Sequence, residues 1–288
     1  MLQSLNSGVS GIQQFQERLD VIGNNIANSN TIAFKSGRAD FADTFSQTLE
    51  ASAPGLNGQA ATPAMQVGSG VTTASIRNQF TQGVLSATGS KEDLSVAGEG
   101  FFMVKDIASN LEYATRAGDF RLDESGHLVT NQGLRVQGFS DGGLTTRGDI
   151  QIDGTGRPAG ASPTAAVVGY NINEEGKITV NLSDGTQFVR GQILLQRFTD
   201  PQALLKEGDN LFSGISKAGP LGGSASPLTQ APGTNGLGQI EQGRLELSNV
   251  DLTTEFSNLI TTQRGFQASA RIITTSDEIL QDVINLKR

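Results

Sequence analysis

Apolar residues recur at alternating three- and four-residue spacing at both ends of this 288-residue chain, and neither run continues into the middle. The first series is Leu2, Leu5, Val9, Ile12, Leu19, Ile22 and Ile26, with Gln16 as its polar member. The second is Leu252, Phe256, Leu259, Gln263, Phe266, Ala270, Ile273, Asp277, Leu280, Ile284 and Lys287, widened by Ile260 and Val283. This spacing draws one apolar stripe along a helix, and such a stripe needs a partner surface. Gly8, Gly11 and Gly23 each cost a helix about 1 kcal/mol relative to Ala, so the first helix is expected to be unstable alone. Asp251 suits a helix N-cap and Glu255 the positive end of the helix dipole; Lys287 and Arg288 suit the negative end. At 1.5 Å per residue the helices extend about 40 Å and about 50 Å, long enough to pair as a coiled coil. Gln16, Gln263 and Asp277 either set register between chains or face solvent.

Between the helices lies a series of short runs with strand character, punctuated by glycine. Val67 to Ile76, Asp93 to Val96, Phe101 to Val104, Asp119 to Leu122, His127 to Val129 and Leu134 to Phe139 are separated by turn chemistry such as Ser125-Gly126 and Gln132-Gly133. Val167 to Asn171, Ile178 to Leu182, Thr186 to Val189 and Gln192 to Phe198 continue the pattern, with Asp184-Gly185 as a hairpin turn. Asp200-Pro201 predicts an N-cap with Pro at the first helical position and one short helical turn over Gln202 to Leu205. Ala51 to Met65 and Gly214 to Gly238 have linker composition, and Asp153 to Thr164 is a third soft spot. The expected fold is α+β: a terminal helical coiled-coil domain from 1–30 and 250–288, an extended linker over 31–70, and a mainly antiparallel β domain over 71–249. Residues 140–210 leave room for a small insertion or second β subdomain.

Composition removes several function classes. A net charge of −8 without clustered Lys or Arg argues against a nucleic-acid partner. The absence of cysteine excludes disulfides, thiolate metal sites and cysteine nucleophiles. No stretch approaches the roughly 20 apolar residues that cross a bilayer, so no lipid insertion is expected. The first 20 residues lack the basic start and apolar core of a cleavable signal, which points to a cytosolic protein or to export by another route. His127 is the sole histidine, so triads and multi-histidine metal sites are out of reach. Gly154-Thr155-Gly156 and Gly98-Glu99-Gly100 lack the context of a dinucleotide loop. Asp123, Asp141 and Asp153 lie beside glycines as turn aspartates do, without the spacing of a calcium loop. No catalytic, cofactor or metal residue is expected.

Three segments, in order along the chain, carry a resemblance. Asn24, Asn25, Ile26, Ala27 and Asn28 close the first helix and run on to Phe34-Lys35; by their chemistry alone, short polar side chains of this kind simply end helices. Gln79 to Val104 leads into the pair Phe101-Phe102, followed by Thr115 to Phe139; Asn210-Leu211-Phe212 comes later, and Ser248 to Arg288 closes the chain. Together these resemble the axial proteins of the bacterial flagellum, the hook protein and the closely related distal rod protein.

The resemblance implies terminal helices paired in an inner tube around a channel, with β domains stacked outside. It implies a helical homopolymer that transmits torque and lines the export channel. Its partners are then further copies, other rod, hook-cap or hook–filament junction proteins, and the flagellar export apparatus. Location follows as hook outside the cell or distal rod in the periplasm, reached without a cleavable signal. The hook is the first expectation; the distal rod is the alternative, since the chain is short for a hook subunit and the stretch from Asp40 to Met65 offers a packing device for a stiff rod. A secreted β binding module on a coiled-coil stalk is a third reading, and it requires the two ends to lie apart.

Overall fold

A computed structural model describes residues 2–52, 63–158, 161–162, 165–221 and 230–286. It divides into two units, one formed by residues 1–29, 36–79 and 250–288, the other by 30–35 and 80–249.

The first unit contains helix α1, Leu2–Ala27, and helix α2, Leu252–Leu286. α2 starts where Asp251 accepts hydrogen bonds from the Thr253 amide at 3.0 Å and the Thr254 hydroxyl at 2.6 Å, the N-cap expected of it. Lys287 and Arg288 lie outside the described residues. The stretch expected to be an extended linker instead forms a long β hairpin: Gly37–Asp43 pairs with Val71–Asn78, and Ser46–Glu50 with Met65–Gly68, all antiparallel. Val71, Thr73 and Ser75 alternate inward with Thr72, Ala74 and Ile76 outward, the two-residue period of a half-covered strand. The run expected from Val67 to Ile76 is broken at Gly70, whose φ of 132° few other residues adopt. Most of the Ala51 to Met65 linker, residues 53–62, lies outside the described residues.

The second unit is antiparallel β. Its main sheet runs, neighbour to neighbour, through Val167–Ile172, Lys177–Leu182, Gln187–Ile193, Arg135–Phe139, Phe101–Lys105, Glu112–Thr115, Leu211–Ser213 and Leu205–Gly208. The strands between 167 and 193 therefore continue the sheet that Arg135–Phe139 begins, and residues 140–210 do not separate into a subdomain. The hairpin turn at Asp184-Gly185 is present, with the Thr186 amide donating to Asp184 Oδ1 at 2.9 Å. Asp200 caps as expected, but the turn it caps is a 3-10 element over Pro201–Ala203, and Leu205 already belongs to a strand. Residues 222–229 of the Gly214 to Gly238 linker, and 159–160 and 163–164 of the small insert, lie outside the described residues.

Phe101 and Phe102 show how this sheet is filled. Adjacent strand residues face opposite ways. Phe102 joins the larger core with Phe120, Val136, Ile178, Ile193 and Leu195, while Phe101 joins a second cluster with Phe198, Phe212 and Phe80 on the other side. One aromatic pair thus serves two cores.

Candidate assembly region

α1 and α2 pack antiparallel, and glycines allow the approach. A Cβ added to Gly8 would meet the Ile273 side chain at 3.2 Å, one at Gly11 would meet Ser269 Oγ at 3.1 Å, and one at Gly265 would strike the Phe15 ring at 2.7 Å. Gly8 and Gly11 are buried, so two of the three glycines that weaken the isolated helix are the residues that seat it against its partner. Gly23 is exposed with nothing near it. On α2 the buried positions are Thr262 and Ser276, whose hydroxyls donate to the carbonyls of Asn258 and Ile272 at 2.6 and 2.7 Å and so stay satisfied.

The expected apolar residues divide accordingly. Ile22 is buried; Leu5, Ile12, Leu19 and Ile26 on α1 and Leu259, Phe266, Ile273 and Leu280 on α2 are half-buried. Val9, Leu252, Phe256 and Ile284 are exposed, as are Gln16, Gln263 and Asp277. The side chain of Leu2 lies outside the described residues. On α2 the face between the helices keeps Leu259, Phe266, Ile273 and Leu280 of the apolar series but is offset by one residue at the alternate positions, where the small Thr262, Ser269 and Ser276 stand in place of Gln263, Ala270 and Asp277.

A second stripe on α1 is polar, and sequence reasoning missed it. Gln3 donates to the Gly68 carbonyl at 3.3 Å, and Ser10 Oγ accepts from the Val71 amide at 3.3 Å. Thr73 Oγ1 sits against both Gln14 Oε1 and Glu17 Oε2. Asn25 completes the stripe: its Nδ2 donates to the Gly37 carbonyl at 2.9 Å and to Glu255 Oε1 at 3.1 Å, and its Oδ1 accepts from the Gly37 amide at 2.9 Å. Only 2% exposed, Asn25 ties α1 to the start of the hairpin and to the first turn of α2. Burial pushes the Glu255 carboxyl above its ordinary range, with Asn25 pulling back down. The signal was available: Gln3, Ser10, Gln14, Glu17 and Asn25 share the three-and-four spacing of a helix face. A periodicity of apolar residues alone does not reveal them.

The other motif residues are placed as follows. Asn28 donates to the Asn24 carbonyl at 2.9 Å, closing α1; Asn24 and Ala27 are exposed. In the second unit Phe34 is buried with the Lys206 ammonium 4.1 Å from its ring centre. Lys35 is buried too. Its Nζ lies 2.6 Å from Glu246 Oε1 and 2.8 Å from the Thr81 carbonyl, and Arg116 reaches Glu246 Oε2 at 3.4 Å. Glu246 also accepts from the Gly83 amide at 2.8 Å. Burial lowers the Lys35 pKa, and the neighbouring Glu246 charge offsets part of that. Asn210 donates to the Ile32 carbonyl at 2.6 Å, which fixes the 30–35 segment on the same unit. Asp123, Asp141 and Asp153 each accept a backbone amide two to five residues on, as turn aspartates do.

Paired terminal helices, a hairpin zipped to one of them and a β unit held by a buried ion cluster describe a structural subunit, whose informative surfaces are helix faces. Comparison with known proteins agrees. Residues 5–35 match the family described as flagella basal body rod protein, residues 95–180 the flagellar hook protein FlgE/F/G D1 domain, and residues 241–286 the flagellar basal body rod FlgEFG protein C-terminal family. The flagellar basal-body rod protein FlgG of Bacillus subtilis (strain 168) is 39% identical over 288 residues, covering 100% of both chains. FlgG of Buchnera aphidicola subsp. Acyrthosiphon pisum is 33% identical over 288 residues, covering 99% of this chain and 100% of that one. The flagellar hook protein FlgE of Borreliella burgdorferi is 28% identical over an alignment of 449 positions, covering 100% of both.

The chain belongs to the family of flagellar basal-body rod and hook proteins. This is a family of structural flagellar components, not enzymes, whose members polymerise with other axial proteins.

Proposed function

We propose that the chain is a distal rod subunit of the flagellar basal body, forming a tube with further copies of itself and joining other axial proteins at its ends. Length carries this reading. The FlgG relatives align with it over 288 residues from end to end, whereas the hook relative needs 449 alignment positions for the same coverage. The hook, the first expectation from sequence, becomes the second reading; hook-cap and junction partners belong to it. A stalked binding module is disfavoured by the packing of α1 against α2.

In the assembled tube the two helices act as an antiparallel coiled coil lining the channel. Heptad spacing supports this on both sides: Gly8, Gly11, Phe15, Ile22 and Asn25 on α1, with Leu259, Thr262, Phe266, Ser269, Ile273, Ser276 and Leu280 on α2. The paired strands of 37–50 and 65–78 supply the packing device of a stiff rod, with Phe45 94% exposed and ready to be covered by a neighbour. Export runs through the flagellum's own apparatus. Electron microscopy of purified polymer, with a labelled copy located in cells, tests the reading: straight tubes and a label beneath the outer membrane are expected. Curved tubes and a label outside the cell would assign the hook instead.

A further inference from the structure

We propose that residues 30–35 are a strained strap, clasped onto the β unit and able to come off it as a piece while both β cores stay closed. These six residues belong to the β unit, although the chain on either side of them, 1–29 and 36–79, belongs to the helical one. Ala33 carries the strain. Its φ of 56° lies in the left-handed region, which an L-residue with a Cβ enters only at a cost, and the residue is 1% exposed. Glycine would sit there freely; alanine is held there by what surrounds it. Its amide donates to the Glu246 carbonyl at 2.8 Å. On one side of it Asn210 Nδ2 donates to the Ile32 carbonyl at 2.6 Å; on the other the Lys35 ammonium lies 2.6 Å from Glu246 Oε1 and 2.8 Å from the Thr81 carbonyl.

What clasps the strap is mainly polar and lies at the margin of the sheet. Among the described residues that form the two apolar cores, none comes from 30–35. Phe34 is buried, yet its ring meets the ammonium of exposed Lys206 at 4.1 Å. Thr31 and Ile32 line a cavity of about 210 Å³ with Thr115, Asp119, Thr130 and Asn210, so the first half of the strap rests on polar side chains and not on packed hydrocarbon. Lys206 lies on Leu205–Gly208, an edge strand of the main sheet with an irregular register, and Asn210 lies in the turn that follows. Segments with few apolar contacts, held at a sheet edge, open at lower free energy than the cores. Release also returns the Lys35 ammonium to water, and burial disfavours that charge. Docked, the chain passes between its two units four times, at 29–30, 35–36, 79–80 and 249–250; released, only the last two crossings remain. The strap is therefore a catch that sets how many points join one unit to the other, and it lets a subunit yield there without unfolding.

Native-state hydrogen exchange on the soluble full chain tests this, with protection taken relative to the intrinsic rate. The amide at position 33 reads the strap; those of Leu128 and Ile150, bonded to the carbonyls of Ile150 and Val136, read the core. Position 33 is expected to exchange through an opening at least roughly tenfold more populated than the one that exposes the core amides. Equal protection at all three positions, lost together as urea is raised, overturns the proposal. Asn210→Gly removes the bond to Ile32 while accepting the Asn210 φ of 57°, and should populate the strap's opening roughly fivefold more with the core amides unchanged. A loss shared equally by the core, or no loss at all, overturns the clasp. Ala33→Gly should act the other way and raise protection at position 33 roughly threefold; unchanged or lowered protection overturns the strain. None of these readings depends on polymerisation, so the distal-rod reading stands or falls separately.

Discussion

Glu246 and Asn25 do comparable work in different units, and each does it by being buried with several partners. Glu246 faces Lys35, Arg116 and the Gly83 amide in a site where all three charges are nearly inaccessible. Removing it leaves two buried cations unpaired. Glu246→Ala is therefore expected to destabilise the β unit by about 3–5 kcal/mol in urea unfolding, with Glu246→Gln, which keeps an acceptor, costing less. Asn25→Ala deletes three hydrogen bonds and strands both backbone groups of Gly37; a loss of about 2–4 kcal/mol is expected for the helical unit. A stability change below 1 kcal/mol or so in either case would contradict these assignments. Lys35 and Asn25 were both visible in the sequence as members of a family pattern. Their physical reasons were not, because the partners Glu246 and Glu255 lie more than 200 positions away.

Within the helices, the glycines separate local preference from packing. Gly23→Ala should stabilise the helical unit by about 0.5–1 kcal/mol, since the position is helical, exposed and open. Gly265→Ala has the same intrinsic benefit but drives a methyl into the Phe15 ring, and overpacking of that kind costs about 1–3 kcal/mol. Thermal melts of the two variants should move in opposite directions; parallel shifts would mean that the helices are not closely packed. The start of α2 has its own pH signature. Hydrogen bonds from Thr254 and Thr253 hold the Asp251 carboxyl below its ordinary 3.8. A depressed folded-state pKa means that the cap's contribution is complete above about pH 4 and is lost as pH falls through the lowered value. Protection of the first-turn amides of α2, taken relative to the intrinsic exchange rate, should fall as pH drops below about 4, and Asp251→Asn, which caps without ionising, should flatten that response. The cap is legible from Asp251 followed by a periodic run; the polar stripe of α1 is legible only in the spacing of its polar residues, and the small-residue face of α2 is not, since an apolar periodicity passes over both.

For the whole molecule, removing residues 2–27 or 252–286 should leave a soluble protein with a β-type circular dichroism spectrum that forms no tubes. The β unit keeps both its cores in either truncation. Tubes formed by a truncated chain would show that the helices are dispensable for assembly.

By itself, the sequence determined the helical ends, the antiparallel β character of the middle, the caps and turns, and the family, because each is written in short-range periodicity or in contiguous motifs. Only the tertiary structure decided which face of α1 meets α2, that residues 37–50 and 65–78 pair as antiparallel strands, that Phe101 and Phe102 feed separate cores, and which flanks of α2 stay open. Those outcomes depend on steric fit and on charges and hydrogen bonds between residues far apart in the chain. A periodic pattern specifies that a face is to be covered, while shape and polar pairing specify by what.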